Sequence, residues 1–515
     1  MCDVSEAFTQ TAAETRSGAR TVLRPPSALK HMWCEYLREN GFSDASQTKE
    51  FAFLVENSIY GERDAPLKWA LTLTAWLTTV QKAGPAIVDD AAQVIATAKE
   101  NMERTQASLV AQGFKQLECD SKVYVRVDAA GSPLFVFVYV DDVIAISPCV
   151  RSCELFFDAL RSRFRCTEVE WVVKSGSFRS SKDAAPTFLT DAFYFDEVAP
   201  TDTHAVCHID QEAWLVAAAQ RLIDKKVISK DELEKPLWSL SEKHFSHSYL
   251  CEENDSSNPL LSDTALTHLR SGINTLSYLA SHTRAELVCP LSCLARGQTP
   301  KGRFRFLQGL LELIRYAWTY RTRHITLRCC LQPQPWREVT VECDADSSLG
   351  DASLQFARMG YNLCLSVLLG DGTRAHVVVA WKCGLQTTVS VSSTEAEIVC
   401  ASWASRALMA LHFLMVEVAR VLPRLCPPDF PRFCRPLVLT PLIYQDNEAA
   451  QACASGGSYR RLRHLSLHNM YVRHLCCHGQ LRVLAKRTAV MSADLFTKVL
   501  ANTVVERLLA CLFRR

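Results

Sequence analysis

Two adjacent carboxylates, Asp141 and Asp142, interrupt a strongly apolar run between Pro133 and Ser147. Val, Ile, Phe and Tyr dominate both flanks, and β-branched and aromatic residues favour strands. Charges inside an apolar run are costly unless something binds them. The pattern therefore predicts a hairpin that presents both carboxylates at its tip. This tip is either an acidic turn between two core strands or a pair of ligands for divalent cations.

A second set of acidic residues lies in the last third of the chain. The segment Val339–Asp346 alternates as a strand and ends in carboxylates, and Leu442–Asn447 holds another apolar strand that ends in Asp. Between them, Ser392–Glu397 precedes a stripe of apolar residues at helical spacing, and Ser492–Lys498 opens the last helix. Strand ends and helix starts thus supply carboxylates at four places.

These segments resemble the Pol polyprotein of copia-type long-terminal-repeat retrotransposons. Tyr139–Asp142 matches the Asp-Asp hairpin of reverse transcriptases, Ser58–Trp69 resembles SLYGLKQAPRAW, and Ser271–Arg296 resembles SLIGSLLYLTNTRPDIAFAVNLLSR. In the last third, four segments resemble the family's SDAD, WKSKKQTTVALSSTEAEY, CDNQSAI and LADIFTKPL, in that order. These segments are Val339–Asp346, Trp381–Glu397, Leu442–Asn447 and Ser492–Lys498. The resemblance covers about two thirds of the chain and implies a reverse transcriptase followed by a ribonuclease H.

The first acidic set would serve DNA synthesis on an RNA template. The implied ligands for two Mg²⁺ ions, with Mn²⁺ as an alternative, are Asp3, Asp141 and Asp142. Phe8 would lie under the incoming sugar, and the nucleotide site would also include Tyr139 and Asp64. Asp64 stands where the family has Gln, so this site departs from the family pattern. The family's fingers should precede Asp3, so the resemblance predicts a truncated and impaired polymerase half.

The second set would hydrolyse RNA in an RNA–DNA hybrid. The implied ligands for two further Mg²⁺ ions are Asp344, Glu397, Asp446 and Asp494. Two Mg²⁺ ions can activate water and stabilise the leaving oxygen, and Mg²⁺ prefers carboxylate oxygens. Asp346 is the weaker choice because the family's first ligand aligns with Asp344. Glu395 has capping-box spacing from Ser392, so it is predicted to close the helix N-terminus instead of binding metal.

A basic cluster near the second set resembles the family's SRTKHIDIRYHFIR. Its members are Arg460, Arg461, Arg463, His464 and Arg473. In this setting the resemblance favours contacts to the backbone of the hybrid through these side chains. The other interpretation is a solvated helix face.

The composition bounds the remaining possibilities. With 515 residues, the chain has room for about three domains. Its net charge of +2 gives no argument for nucleic acid beyond the local clusters. The 22 cysteines show no paired zinc-ligand spacing, which favours reduced thiols. The sequence contains no run of 18 uninterrupted apolar residues, so no membrane span is predicted. The N-terminus has no signal-peptide pattern.

The expected fold class is an α+β reverse-transcriptase palm without fingers, a thumb and connection, and an α/β ribonuclease H-like domain. The expected boundaries are 1–165 for the palm, 166–265 for a degraded thumb, 266–335 for the connection and 336–515 for ribonuclease H. Expected partners are an RNA template, a DNA primer, an RNA–DNA hybrid and deoxynucleoside triphosphates, with no membrane. The implied location is intracellular. It is the cytoplasm, within virus-like particles, or the nucleus, or both of these compartments. The alternative function is a catalytically inactive transposon remnant or nucleic-acid-binding scaffold.

Overall fold

The computed structural model describes most of residues 113–513. Of residues 1–112 it describes only the backbone of three short strands: β1 Cys2–Asp3, β2 Val22–Leu23 and β3 Phe53–Leu54. The gaps after residue 113 are 129–131, 175–176, 179–184, 200–201, 203, 331–335, 350–355, 370–371, 426–436, 458–464, 466–469 and 514–515. The chain forms two compact units, Met1–Glu170 and Trp171–Pro423 with Phe430–Arg515, and Arg424–Asp429 group with the first.

The first unit contains a five-stranded sheet in the order β1-β7-β6-β5-β4. The remaining elements are β4 Lys115–Gln116, β5 Val123–Val127, β6 Pro133–Tyr139, β7 Asp142–Ile146 and helix α1 Val150–Arg163. Alternate residues of the hairpin are buried, including Leu134, Val136 and Val143. The predicted apolar hairpin is therefore present, with its core side set by the period of two.

The first part of the second unit combines a sheet with a helical cluster. Its strands are β8 Val173–Lys174, β9 Ser177–Phe178, β10 Thr187–Phe188, β11 Asp191–Phe195, β12 His204–Asp210 and β13 Ile325–Cys330, of which β10 to β13 form one antiparallel sheet. Its helices are α2 Glu212–Asp224, α3 Lys230–Leu233, α4 His247–Leu250, α5 Asp263–His282, α6 Val288–Leu294 and α7 Phe304–Thr319. Helices α5 and α7 pack closely at Gly272, where an added Cβ would lie 2.5 Å from the side chain of Leu310.

The rest of the second unit is built on a mixed sheet in the order β16-β15-β14-β18-β19, with β17 also paired to β14. The elements are β14 Trp336–Ser348, β15 Arg358–Leu369, β16 Arg374–Leu385, α8 Ser393–Leu425, β17 Leu437–Val438, β18 Leu442–Gln445, α9 Glu448–Ala454, α10 Tyr471–Cys477, β19 Arg482–Ala485, α11 Asp494–Thr497 and α12 Asn502–Phe513. The first three strands are antiparallel, whereas β14, β18 and β19 run parallel.

Helix α8 packs against this sheet, and the two share one hydrophobic core. Every second residue of β14 from Val339 to Ala345 is fully buried, and Ala404 and Leu408 of α8 belong to the same core. The segment Ser393–Val421 is long and apolar enough to cross a membrane, but over half of its most apolar stretch is buried inside the protein. Packing against the sheet therefore accounts for much of its apolar character.

The helical part and the mixed sheet share contacts throughout the second unit. The indole Nε1 of Trp381 donates to the carbonyl of Ala280 at 2.9 Å. The guanidinium of Arg323 bonds to Asn502 at 3.2 Å and also pairs with Glu506. The boundary that the sequence suggested at residue 335 therefore falls inside one packed unit.

Candidate functional site

Three carboxylates meet at the carboxyl end of β14 and β18, two inner strands of the mixed sheet. Asp346 lies near the end of β14, Glu397 near the start of α8, and Asp446 directly after β18. One oxygen from each lies within 4.8 Å of the others, and we call these residues the acidic group. The strand register explains the meeting: Asp344 pairs with Tyr444 in the parallel ladder, so two residues further along Asp346 comes level with Asp446.

The acidic group is largely withdrawn from water. Asp346 and Glu397 are 2% and 4% exposed. Burial, with the nearby Asp346 and Asp446, raises the pKa of Glu397 to about 9. Burial also raises the pKa of Asp346 to about 6, with further contributions from Asp494 and Asp446. Like charges in a water-poor place favour protonation unless a cation joins them.

The donor set fits a hard divalent cation. Glu397 is oriented by the backbone N–H of Ser347, which donates to Oε1 at 3.1 Å. Nε2 of Gln445 donates to the Glu397 carbonyl at 3.1 Å, and its buried Oε1 has no hydrogen-bond partner in the described part of the chain. Carboxylate oxygens with room for bound water are what Mg²⁺ prefers.

Asp494 lies beside the acidic group and is linked to it by Lys498. Nζ of Lys498 lies 2.5 Å from Oδ1 of Asp494 and 3.5 Å from Oδ2 of Asp346. Burial opposes the charge on Lys498, yet Asp346 and Asp494 raise its pKa overall. Thr497 also donates its hydroxyl to Asp346. The described structure therefore pairs Asp494 with a lysine, and the three-carboxylate group does not include it.

Asp344 has a different environment. Its two oxygens accept hydrogen bonds from Nζ of Lys486, each at 2.6 Å, and Ser492 donates its backbone N–H at 3.2 Å and its hydroxyl. The preference for Asp344 over Asp346 therefore does not fit this geometry. The parallel register brings Asp346 level with Asp446. Asp344 lies two residues earlier on β14 and has Lys486 as its counter-ion.

Glu395 closes the start of α8. Its backbone N–H donates to Oγ of Ser392 at 3.2 Å, and its Oε2 accepts from the N–H of Val391 at 3.0 Å. The predicted capping contact is therefore confirmed. Glu395 is 1% exposed, yet it is not part of the acidic group.

The hairpin of the first unit places its carboxylates as the apolar pattern predicts. Tyr139 pairs with Asp142, so Val140 and Asp141 form the two-residue turn. Val140 has φ 56°, which strains a β-branched residue. The backbone of Asp3 pairs with Asp142 in the antiparallel ladder between β1 and β7. Asp3 and Asp142 therefore lie on neighbouring strands of the sheet.

The nucleotide-site residues are described in part. The ring of Tyr139 is 44% exposed, and Nζ of Lys122 lies 4.7 Å from its centroid. Phe8 and Asp64 lie outside the described residues.

The basic cluster is described only at Arg473. Arg460, Arg461, Arg463 and His464 lie outside the described residues. The guanidinium of Arg473 donates to the carbonyls of Gly457 at 2.8 Å, Gly456 at 3.2 Å and Cys453. These carbonyls lie in the last turn of α9 and directly after it, where backbone acceptors lack helical partners. Arg473 therefore caps this helix, and its contact with nucleic acid stays a prediction.

Comparison with known proteins gives one informative match. No model of a known protein family matches the chain. Over 469 residues, 90% of the chain, it is 22% identical to "Retrovirus-related Pol polyprotein from transposon RE1" of Arabidopsis thaliana. The chain is thus similar to a retrotransposon Pol polyprotein. It spans 25% of the length of that protein. The resemblance to a retrotransposon Pol polyprotein is thus supported, whereas its copia-type subdivision stays a prediction.

Sequence reasoning missed the cations and hydrogen-bond donors around these acidic residues. Lys498 follows Asp494 by four residues, a spacing that favours pairing on a helix, and this signal was available. Lys486 and Ser492 reach Asp344 from about 140 residues away in sequence, so no local pattern indicates them.

Proposed function

We propose that the second unit cleaves the RNA strand of an RNA–DNA hybrid with the help of Mg²⁺. The observation that carries this proposal is the convergence of Asp346, Glu397 and Asp446 within 4.8 Å. Burial and the neighbouring carboxylates raise the pKa values of Glu397 and Asp346, so the group is poised to exchange protons for a cation. Relationship to a Pol polyprotein supports a nucleic-acid substrate.

The sheet supports a ribonuclease H-like fold. Three antiparallel strands are followed by a long helix and two strands parallel to β14, and the acidic group lies at the carboxyl end of β14 and β18. This edge is where α8 begins, so strand ends and a helix start supply the ligands together. The arrangement agrees with the order of acidic segments in the family that the sequence resembles.

The residues would divide the work as follows. Asp346, Glu397 and Asp446 would hold Mg²⁺, which supplies an activated water and charge neutralisation at the leaving oxygen. The N–H of Ser347 fixes the orientation of the Glu397 carboxylate. Thr488 donates its hydroxyl to Asp446 at 2.7 Å and restrains that ligand. Lys498 balances the charge of Asp346 and keeps Asp494 within reach of the group.

Incubation of the full chain with a labelled RNA–DNA hybrid tests this function. We expect RNA cleavage with Mg²⁺, none with EDTA, and none when the hybrid is replaced by a DNA duplex. Asp446→Asn should abolish cleavage because it removes a ligand. Glu395→Gln is the matched control, since it changes a buried carboxylate on the same helix that only caps it. Binding of the hybrid without cleavage by the wild-type protein would instead support an inactive scaffold.

We further propose that the first unit belongs to an RNA-directed DNA polymerase. The backbone pairing of Asp3 with Asp142, and the strained turn that carries Asp141, support this assignment. Asp3, Asp141 and Asp142 would hold Mg²⁺ near a primer terminus and a deoxynucleoside triphosphate. Primer extension on poly(rA)–oligo(dT) by the wild-type chain and by Asp141→Asn tests it. Extension that disappears in the variant supports the proposal, and equal extension by both proteins contradicts it.

A further inference from the structure

A buried arginine lies where the helical part of the second unit meets the mixed sheet. Arg358, the first residue of β15, is 7% exposed. Its Nη1 donates to Oγ of Ser292 at 2.7 Å and to Sγ of Cys383 at 3.7 Å. Within the described part of the chain no carboxylate pairs with it. A buried cation without a counter-ion is strongly unfavourable, so an anion is expected beside it.

Three thiols surround this arginine. Cys289 and Cys293 lie one helical turn apart on α6, and Cys383 lies on β16. The thiol of Cys289 is within hydrogen-bonding reach of both other sulfurs. The hydrogen bond from Cys289, together with Arg358, lowers the pKa of Cys383 to about 6 although burial opposes this. The pKa of Cys289 is raised well above its usual range by its contacts with the other two thiols. The contact with Cys289 and the charge of Arg358 also lower the pKa of Cys293. Cys289 therefore keeps its proton, and of its two neighbours Cys383 is the more exposed.

Cys383 is the most exposed of the three thiols. It is partly exposed and lines a cavity of about 240 Å³ together with Trp381 and Lys382. Cys289 and Cys293 are 1% and 7% exposed. A cysteine metal site is not favoured, because among the described residues the acidic group alone brings three ligand atoms within 4.8 Å of one another.

We propose that Cys383 is a reactive thiolate, with Arg358 as its counter-ion, and that low-molecular-weight disulfides modify it. In this exchange Sγ of Cys383 attacks one sulfur of the disulfide. A new sulfur–sulfur bond forms as the old one breaks, and the other half leaves as a thiolate. The disulfide is the oxidant, so no further reagent is needed. This site is independent of the hydrolytic function proposed above.

Glutathione disulfide is the probe. The full chain is incubated with it between pH 5 and pH 9, the reaction is stopped with acid, and each cysteine is quantified by mass spectrometry of peptides. We expect Cys383 to react at least about tenfold faster at pH 7 than Cys289 or the partly exposed Cys476, whose pKa values are both raised, since thiolate fraction governs the rate. The rate should reach half its maximum near pH 6. A Cys383 rate no higher than that of Cys476, or a profile that still climbs at pH 9, overturns the proposal.

Two variants separate the electrostatic cause from simple exposure. Arg358→Gln should slow modification of Cys383 about threefold at pH 6.5, because a rise of one unit from a pKa of about 6 lowers the thiolate fraction from about three quarters to about one quarter. Cys476→Ser, which removes a partly exposed thiol of α10 outside this cluster, should leave the Cys383 rate unchanged. If Arg358→Gln does not fold, Cys289→Ala replaces it and should move the pH profile of Cys383 upward. A folded variant of either kind with an unchanged profile contradicts the assignment.

Discussion

Nζ of Lys498 lies 3.5 Å from Oδ2 of Asp346. The same amine lies 2.5 Å from Asp494, so it offsets negative charge on two sides of the acidic group. Without a metal ion, burial and the negative charge that this lysine does not balance together raise the pKa values of Asp346 and Glu397. The edge of the sheet therefore favours cation binding and disfavours the metal-free charged state.

Replacing Lys498 should destabilise the metal-free protein. In Lys498→Met, with EDTA at pH 8, we expect the free energy of unfolding to fall by about 1–2 kcal/mol. This is less than for a fully buried ion pair because the lysine side chain is 35% exposed. Urea unfolding measures the loss. Lys230→Met is the control, since that lysine forms an exposed pair with Glu234 at 4.0 Å and should change stability little. Equal effects of both changes would contradict the role of Lys498.

Glu397 should make the stability of the metal-free protein depend on pH. Its folded pKa of about 9 lies above the value of an unfolded glutamate. The stabilising effect of the bound proton is therefore complete below about pH 4.5 and is lost as pH rises toward 9. With EDTA, we expect the free energy of unfolding to decrease over this window. Glu397→Gln should flatten the decrease and raise stability at pH 8, whereas Glu395→Gln should keep the slope. Urea unfolding at several pH values measures both, and a slope unchanged in Glu397→Gln would show that this carboxyl does not cause it.

The sequence could predict which kinds of elements carry the acidic residues, because strand alternation and helix capping are local. The hairpin of Asp141 and the cap at Glu395 follow from such patterns and are present. The choice between Asp344 and Asp346 could not be made locally. It depends on the register of β14 against β18 and on Lys486, which lies 142 residues from Asp344 in the chain. The role of Arg473 likewise depends on carbonyls about 16 to 20 residues away.

Arg473 should matter for stability more than for nucleic-acid binding. Arg473→Ala leaves three carbonyl groups after α9 without this donor, and we expect a loss of about 1–2 kcal/mol in the free energy of unfolding. Its affinity for an RNA–DNA hybrid, measured by fluorescence anisotropy where the variant is folded, should stay unchanged. Arg463→Ala, in the basic cluster that the resemblance assigns to the hybrid, is the comparison and should weaken binding and reduce its dependence on salt. Weaker binding by Arg473→Ala alone would reverse this assignment.

Asp344 and Asp346 should separate stability from catalysis. Asp344→Asn leaves Lys486 without its buried partner, so we expect a loss of about 3 kcal/mol in the free energy of unfolding. Cleavage of the hybrid should persist under conditions where the variant is folded. Asp346→Asn removes a carboxylate whose pKa is raised to about 6, so it should not destabilise the metal-free protein at pH 8, yet it should abolish cleavage. Urea unfolding and the hybrid-cleavage assay, run on the same preparations, measure the two effects. A folded Asp344→Asn without activity, beside an active Asp346→Asn, would restore Asp344 as the metal ligand.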